Sequence, residues 1–183
     1  MTRVEAIHLL AHAELRTLSR PAREALLLGY WGVDADDPEY GMLPESLRAE
    51  LDRGDDPGDA ADAKYDPLLL LAILHQYVGV INEYLEGTLA QRGHGTVSVE
   101  GVVEPLFACP CCRYRTLPRR GEYDICRVCF WEDSGAESPE AYSGPNRMTL
   151  GDAQRNFATF GACTERERAS VLPDGPARYA RAE

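Results

Sequence analysis

Apolar residues recur every three or four positions through much of the first half of the chain, a spacing typical of amphipathic helices. The first helix is predicted to begin after Thr2, because Thr2 and Glu5 have the spacing of a capping box. A second helix follows Ser19, and a third, short one lies between Pro44 and Gly54. The first half is therefore predicted to be helical.

The longest apolar pattern predicts a single helix from Asp66 to about Arg92, ended by Gly93 and Gly95. Its apolar face consists of Leu70, Leu71, Leu74, Tyr77, Val78, Ile81, Tyr84 and Leu85. We expect this helix to be the central element of a helical domain formed by residues 1–95.

The pattern changes beyond this helix. Residues 96–108 contain spaced valines and are predicted to form a short strand or a linker. Further on, Thr149 and Asp152 have the spacing of a second capping box, and Gly161 fits the end of the helix that they begin. Residues 164–183 are interpreted as a charged C-terminal tail, of which only the proximal part is expected to pack.

Four cysteines form two C-x-x-C pairs, Cys109 with Cys112 and Cys126 with Cys129. A C-x-x-C turn directs two thiolates at one ion, and two such turns complete the tetrahedral four-cysteine site that zinc prefers. Residues 113–125, between the pairs, contain strand-forming residues on either side of Pro118 and Gly121, which predicts a β-hairpin. We predict a structural zinc ion bound by these four cysteines, because four thiolates leave no open coordination position for catalysis.

The two other cysteines are predicted not to bind the metal. Cys111 does not fit the two-residue spacing, and Cys163 is distant in sequence and is expected to be a buried structural thiol. A thioredoxin-like site needs a helix that begins at its C-x-x-C motif, but here Pro110 and the residues after it favour a turn and a strand. An iron–sulfur cluster could use four cysteines, although the symmetric spacing favours zinc.

These elements predict an α+β fold, with a helical N-terminal half, a small β-hairpin zinc ribbon within residues 109–163, and a following helix. Phe130 and Trp131 are expected to cover the metal or to pack the ribbon against the helices. The adjacent acids Glu132 and Asp133 could be read as an acid–base pair, but the simpler interpretation is that they are solvated where the chain leaves the ribbon.

The net charge of −11 is unevenly distributed. Most of it lies in an acidic segment, residues 34–66, whose acids are Asp34, Asp36, Asp37, Glu39, Glu45, Glu50, Asp52, Asp55, Asp56, Asp59, Asp62 and Asp66. The default interpretation is a set of solvated loops. The ribbon is locally basic instead, through Arg113, Arg115, Arg119, Arg120 and Arg127. An acidic chain repels nucleic acid at long range, so any nucleic-acid binding would have to be local.

The sequence contains neither a pattern typical of a signal peptide at its start nor an apolar run of the length that spans a membrane. A cytoplasmic location without membrane contact is therefore expected. In that compartment, clustered cysteines are more often metal ligands than disulfides.

The cysteine-containing stretch resembles the bacterial cysteine-rich CPCC family over about residues 107–163. The residues that carry the resemblance are Cys109–Cys112, Tyr114–Leu117, Cys126, Cys129–Asp133, Gly144–Asn146, Thr149–Leu150, Asn156–Phe157 and Phe160–Gly161. The sequence departs from the family pattern at Arg113, where glycine is common, and at Arg127, where proline is common. Arg113 would disturb a tight turn if the backbone there needs a positive φ.

The resemblance implies a zinc-ribbon-like module without an established enzymatic activity. Such small bacterial proteins are suspected of binding partners, including roles in immunity against toxins. The helical half of the chain resembles no domain that we can name.

Catalytic motifs are not evident in the sequence, and we expect no enzymatic activity. His8 and His12, four residues apart on a predicted helix, could form half of a metal site but have no accompanying glutamate motif. The acidic segment suits a basic partner protein, with Tyr30 and Trp31 as an aromatic anchor or, more simply, as core residues. We therefore expect non-enzymatic binding of a partner protein, in its sharpest form as an immunity or antitoxin protein. The alternative is a nucleic-acid-binding zinc ribbon, in which the ribbon arginines contact phosphates.

Overall fold

The computed structural model describes residues 1–182 and confirms the α+β class. The helices are α1 (Arg3–Thr17), α2 (Arg20–Tyr30), α3 (Glu45–Arg53), α4 (Asp66–Gln76), α5 (Asn82–Leu89), α6 (Leu150–Phe160) and the short α7 (Gly175–Arg178). The strands are β1 (Phe107–Ala108), β2 (Arg115–Leu117), β3 (Tyr142–Ser143) and β4 (Met148–Thr149). Among the described residues, no helix has both the length and the apolar content needed to cross a membrane.

The chain divides into two compact units. The first comprises Met1–Val78 and Thr88–Gly101, and the second comprises Gly79–Gly87 and the chain from Val102 onward. The predicted domain boundaries at residues 95, 108 and 163 stay predictions.

In the first unit, the predicted helix starts are confirmed. The Thr2 hydroxyl accepts a hydrogen bond from the N–H of Glu5, whose carboxylate accepts the N–H of Thr2, so the capping box is complete. Ser19 caps α2 through its side chain, and Gly54 ends α3 in the left-handed conformation. Helix α4 packs against α1 and α2. Its buried residues Leu68, Leu69 and Leu71 belong to a core that also includes Leu27 and Tyr65.

The prediction of one helix from Asp66 to about Arg92 is wrong. Helix α4 ends at Gln76, and α5 begins only at Asn82. Gly79 lies between them with φ of 76°, and a Cβ there would lie 2.2 Å from Cδ1 of Leu106. The helical conformation is interrupted because residues 80 and 81 pair with the C-terminal segment instead: the N–H of Ile81 donates to the C=O of Arg178 at 2.8 Å.

The second unit contains the cysteine pairs, the β3–β4 hairpin and α6. Strand β1 pairs with β2 in antiparallel register, and β3 pairs with β4. Thr149 caps α6 with its hydroxyl, which accepts the N–H of Asp152, and Gly161 ends the helix in the left-handed conformation, as predicted.

The predicted hairpin between the two cysteine pairs is not observed. Strand β2 pairs with β1, which precedes the first cysteine pair, and Ile125 pairs with Glu132 across the second. The chain therefore reverses at each C-x-x-C turn rather than between them, because the turn itself brings the residues on its two sides into register.

The expectation that only the proximal part of the C-terminal tail packs is also wrong. Tyr179 is buried. The N–H of Arg115 donates to the C=O of Ala180 at 2.9 Å, and the N–H of Ala182 donates to the C=O of Arg113 at 2.9 Å. The end of the described chain therefore pairs as an extended segment beside the first cysteine pair.

Candidate metal centre

The first C-x-x-C pair lies in a tight turn that the backbone closes with two hydrogen bonds. The N–H of Arg113 donates to the C=O of Cys109 at 2.9 Å, and the N–H of Cys109 donates to the C=O of Tyr114 at 2.9 Å. These bonds fix the turn so that the side chains of Cys109 and Cys112 point into the same buried space.

The second pair repeats this turn. The N–H of Phe130 donates to the C=O of Cys126 at 2.8 Å, and the N–H of Cys126 donates to the C=O of Trp131 at 2.9 Å. Phe130 thus occupies the position of Arg113 in the first turn, and the two turns are equivalent in backbone structure.

The two turns bring the four predicted thiols together. The Sγ atoms of Cys109, Cys112, Cys126 and Cys129 all lie within 4.8 Å of one another. Those of Cys109 and Cys129 are 3.6 Å apart, and those of Cys112 and Cys126 are 3.5 Å apart. A disulfide would need about 2.05 Å, so the four are free thiols. Four sulfurs at about 2.3 Å from a tetrahedral ion are separated by about 3.8 Å, close to these distances. The cluster could therefore hold one metal ion.

The electrostatics of the cluster also favour a cation. All four cysteines are 0% exposed. Burial, followed by the neighbouring thiols, raises the pKa of Cys129. Hydrogen bonds from Cys109 and Cys112 lower the pKa of Cys126. Four buried thiolates need a bound cation to offset their charge.

Thr116 supports the cluster from strand β2. Its buried hydroxyl donates to Sγ of Cys126 at 3.1 Å. A hydrogen bond to a ligand sulfur stabilises the thiolate form and fixes its orientation, as such outer contacts do in metal sites generally. Sequence reasoning assigned Thr116 only a preference for strand and missed this contact.

Replacing Thr116 with valine is expected to weaken metal binding about tenfold, because the shape is kept while the hydrogen bond to Cys126 is lost. The affinity can be measured by competition with a chromogenic chelator. Thr116→Ser keeps the hydroxyl and is expected to stay within about twofold of the wild type. Equal affinities for the valine and serine variants would show that the hydroxyl has no such role.

Both turns need a residue in the left-handed conformation. Arg113 has φ of 70° and Phe130 has φ of 65°. The departure from the family pattern at Arg113 therefore falls where the backbone has a positive φ. A side chain in this conformation costs about 1 kcal/mol, which the bonds around the turn must offset.

Replacing Arg113 with glycine is expected to raise the free energy of unfolding by about 0.5–1 kcal/mol, since glycine adopts positive φ without strain. Urea denaturation of the metal-loaded protein measures the change. Arg119→Gly is the matched control, because Arg119 is exposed and is not among the residues with positive φ. A loss of stability at Arg113 equal to that at Arg119 would contradict the strain argument.

Cys111 and Cys163 lie outside the four-thiol cluster. The N–H of Cys163 donates to the C=O of Cys129 at 2.6 Å, so the segment after α6 is fixed to the second turn. Burial, followed by the charges of Cys111 and Glu167, raises the pKa of the Cys163 thiol to about 12. Cys163 is therefore a buried thiol, as expected from the sequence.

Asp133 is not solvated, contrary to the sequence-based interpretation. Its side chain is 0% exposed and forms an ion pair with Arg120, whose Nε donates to Oδ2 at 2.7 Å. The N–H of Gly121 donates to the same oxygen at 3.0 Å, and the N–H of Gly135 donates to Oδ1 at 3.3 Å. Asp133 thus connects the loop between the two turns with the chain that leaves the second turn. Its carboxylate has a structural role.

The other candidate residues are placed as follows. The rings of His8 and His12 lie 6.2 Å apart, and within the described chain they belong to no cluster that could hold a metal. Trp31 packs edge-on against Tyr65 at 5.6 Å, and its Nε1 donates to the C=O of Asp55. Because Trp31 also packs against the core of the first unit, the simpler interpretation of it as a core residue is supported.

The acidic segment lies largely on the surface. Most of its carboxylates are exposed, namely those of Asp34, Asp36, Asp37, Glu45, Asp52, Asp55, Asp56, Asp59 and Asp62. Some acids pair within the unit, as Asp66 does with Arg23 and Glu50 with Lys64. The first unit therefore carries an acidic surface that its own cations only partly offset.

In a comparison with protein families, residues 107–177 match the family described as Cysteine-rich CPCC. The match extends beyond the resemblance seen in the sequence, which ended near residue 163, and so includes part of the C-terminal segment. Searches of curated proteins and of solved structures found no match. Residues 107–177 are thus similar to the cysteine-rich CPCC family, and the four clustered cysteines within them could hold a metal ion.

Proposed function

We propose that the chain is a non-enzymatic protein in which a structural zinc ion stabilises the cysteine-rich segment and the acidic first unit binds a basic partner protein. The observation that supports the zinc assignment is the set of four buried thiols in two equivalent turns, at sulfur separations close to those of a tetrahedral site. Zinc takes four thiolates in closed structural sites, and a closed site has no position left for a substrate.

The partner assignment is supported by charge. Several exposed acids of the first unit form no ion pair among the described residues, and Asp34, Asp36 and Asp37 lie together in one loop. Such a surface attracts a protein with a basic face and accelerates its association. An immunity or antitoxin protein that blocks a basic toxin in the cytoplasm is the sharpest form of this proposal.

Nucleic-acid binding is the second candidate, supported by the local arginines of the ribbon. The contacts that these arginines make within the protein support nucleic-acid binding less well than the acidic surface supports a basic partner protein. Arg120 is paired with the buried Asp133, and Arg115 donates to the C=O of Leu106. Of the ribbon arginines, Arg113 and Arg119 are exposed and have no side-chain partner in the described chain. Two such side chains offer little neutralisation of phosphates against a net charge of −11.

The test is affinity purification of the zinc-loaded chain from a lysate of its own cells, with and without nuclease. A triple variant, Asp34→Asn, Asp36→Asn and Asp37→Asn, removes the charge of the acidic loop while asparagine keeps the side-chain acceptors for its turn bonds. The matched control neutralises three exposed acids elsewhere, Glu122→Gln, Glu137→Gln and Glu140→Gln.

The proposal predicts that a basic protein co-purifies with the chain whether or not nuclease is added. This protein should be absent when the triple variant is used and present when the control is used. Binding of the purified pair should also weaken steeply as salt increases. Recovery dominated by nucleic acid and abolished by nuclease would contradict it and support the second candidate.

A further inference from the structure

A cavity of about 320 Å³ lies in the second unit beside the second cysteine turn. It is distinct from the four-thiol cluster, and neither the metal nor the proposed partner surface makes use of it. Its volume is at the lower end of the range for small-molecule sites, about 300–1,000 Å³, and suits a ligand no larger than an amino acid or a short peptide.

One wall of the cavity is apolar. Ile125, Phe130 and Pro145 line it, and Ile125 is 48% exposed although it is a large aliphatic residue. Phe130 is held in position by the turn bond from its N–H to the C=O of Cys126. This wall offers apolar surface from which a ligand side chain would displace water.

Two opposite charges, Glu132 and Arg147, also line the cavity. Asn146 fixes the backbone of Glu132 beside them: its Oδ1 accepts the N–H of Glu132 at 3.0 Å, and its Nδ2 donates to the C=O of Glu132 at 2.7 Å. In residues 1–182, neither the Glu132 carboxylate nor the Arg147 guanidinium has an ion-pair or hydrogen-bond partner. The other charged pair of the lining, Arg166 and Glu167, is already joined at 2.7 Å.

The turn that carries Arg147 is preorganised. Arg147 has φ of 55°, and its N–H donates to the C=O of Gly144 at 3.2 Å. Asn146 also donates to the hydroxyl of Ser143 at 2.6 Å. Because these bonds already fix the turn, little conformational entropy is lost there when a ligand binds.

We propose that this cavity binds a zwitterionic α-amino acid with an apolar side chain. Its carboxylate contacts Arg147, its ammonium contacts Glu132, and its side chain lies on Ile125 and Phe130. A purely anionic ligand would meet the unpaired Glu132, a cationic one would meet the unpaired Arg147, and a small inorganic ion would leave the apolar wall in water. The dipolar ligand satisfies all three features.

The test is a titration of the zinc-loaded full chain with L-leucine, followed by ¹H–¹⁵N correlation spectra. Saturable shifts are expected in the amide signals of Glu132, Asn146, Arg147 and Thr164. Leucinamide lacks the carboxylate, N-acetyl-leucine lacks the ammonium and glycine lacks the side chain, so each is expected to bind at least about tenfold more weakly. Absence of saturable shifts with leucine, or equal binding of leucinamide, would overturn the proposal.

Variants locate the site independently. Glu132→Gln and Arg147→Gln are each expected to weaken leucine binding about tenfold or more, while Arg119→Gln, outside the cavity, leaves it unchanged. The spectra themselves report whether each variant is folded, and the ligand series on the wild type stands even if one is not. Leucine affinity unchanged in both folded cavity variants would overturn the assignment.

Discussion

Replacing Cys112 with serine is expected to abolish metal binding and to unfold the chain around the two cysteine turns. A hydroxyl is a poor zinc ligand, and the three remaining cysteines cannot complete a tetrahedral site. Structural zinc contributes about 10–16 kcal/mol to small domains, so the stability of the second unit should fall by more than about 4 kcal/mol.

Elemental analysis of the purified variant measures the metal. Near-ultraviolet circular dichroism, to which the buried Trp131 contributes, measures the loss of aromatic side-chain packing. Cys111→Ser is the matched control, since Cys111 is also buried but lies outside the four-thiol cluster. A Cys112→Ser protein that keeps one metal ion and an unchanged melting curve would contradict the site. Loss of metal from Cys111→Ser would show that the ligand set is wrong.

Replacing Asp133 with alanine is expected to lower the free energy of unfolding by about 3 kcal/mol. The change removes the partner of Arg120 and leaves the N–H groups of Gly121 and Gly135 without their acceptor. Arg120 is 35% exposed and can turn towards water, so most of the cost comes from the two backbone groups and from the cavity left by the carboxylate.

Urea denaturation of the metal-loaded protein measures this loss. Glu122→Ala removes an exposed acid from the same loop and is expected to change stability by less than about 0.5 kcal/mol. If the two variants were equally stable, Asp133 would not organise the loop as its contacts indicate. Metal content should stay near wild type in both, because neither residue is in the four-thiol cluster.

The helix ends were predictable because their signals are local. Thr2 with Glu5, Ser19 and Gly54 each act within one turn of the helix that they begin or end. The break after Gln76 was missed although Gly79 lay inside the apolar pattern. The apolar pattern continues through the break, where Val80 and Leu85 are buried, and a helical period alone does not distinguish one long helix from two shorter ones.

The four clustered cysteines were found from spacing alone, because a C-x-x-C turn fixes the relative position of its two thiols. The pairing of strands around each turn, instead of between the turns, depends on contacts that are distant in sequence. The packing of the C-terminal segment against residues 113–115 depends on them too. The C-terminal segment is charged and contains Pro and Gly, and this composition does not indicate which part of the backbone it will pair with.

The contacts of Thr116 and Asp133 could not be predicted from the sequence either, because most of their partners are distant along the chain. Both side chains are polar and lie among residues that favour strand or loop, where solvent exposure is the usual outcome. Each is buried because one specific partner satisfies it: Sγ of Cys126 for the hydroxyl, and Arg120 with two glycine N–H groups for the carboxylate. Such partners become visible only once the chain is folded.

The central claim, that four cysteines hold one structural zinc ion, is tested most directly by native mass spectrometry of the chain purified without added metal. The account predicts a single folded species carrying one zinc ion per chain, which a strong chelator converts to an unfolded, metal-free form. A folded chain without metal, or one carrying iron and sulfide, would contradict it.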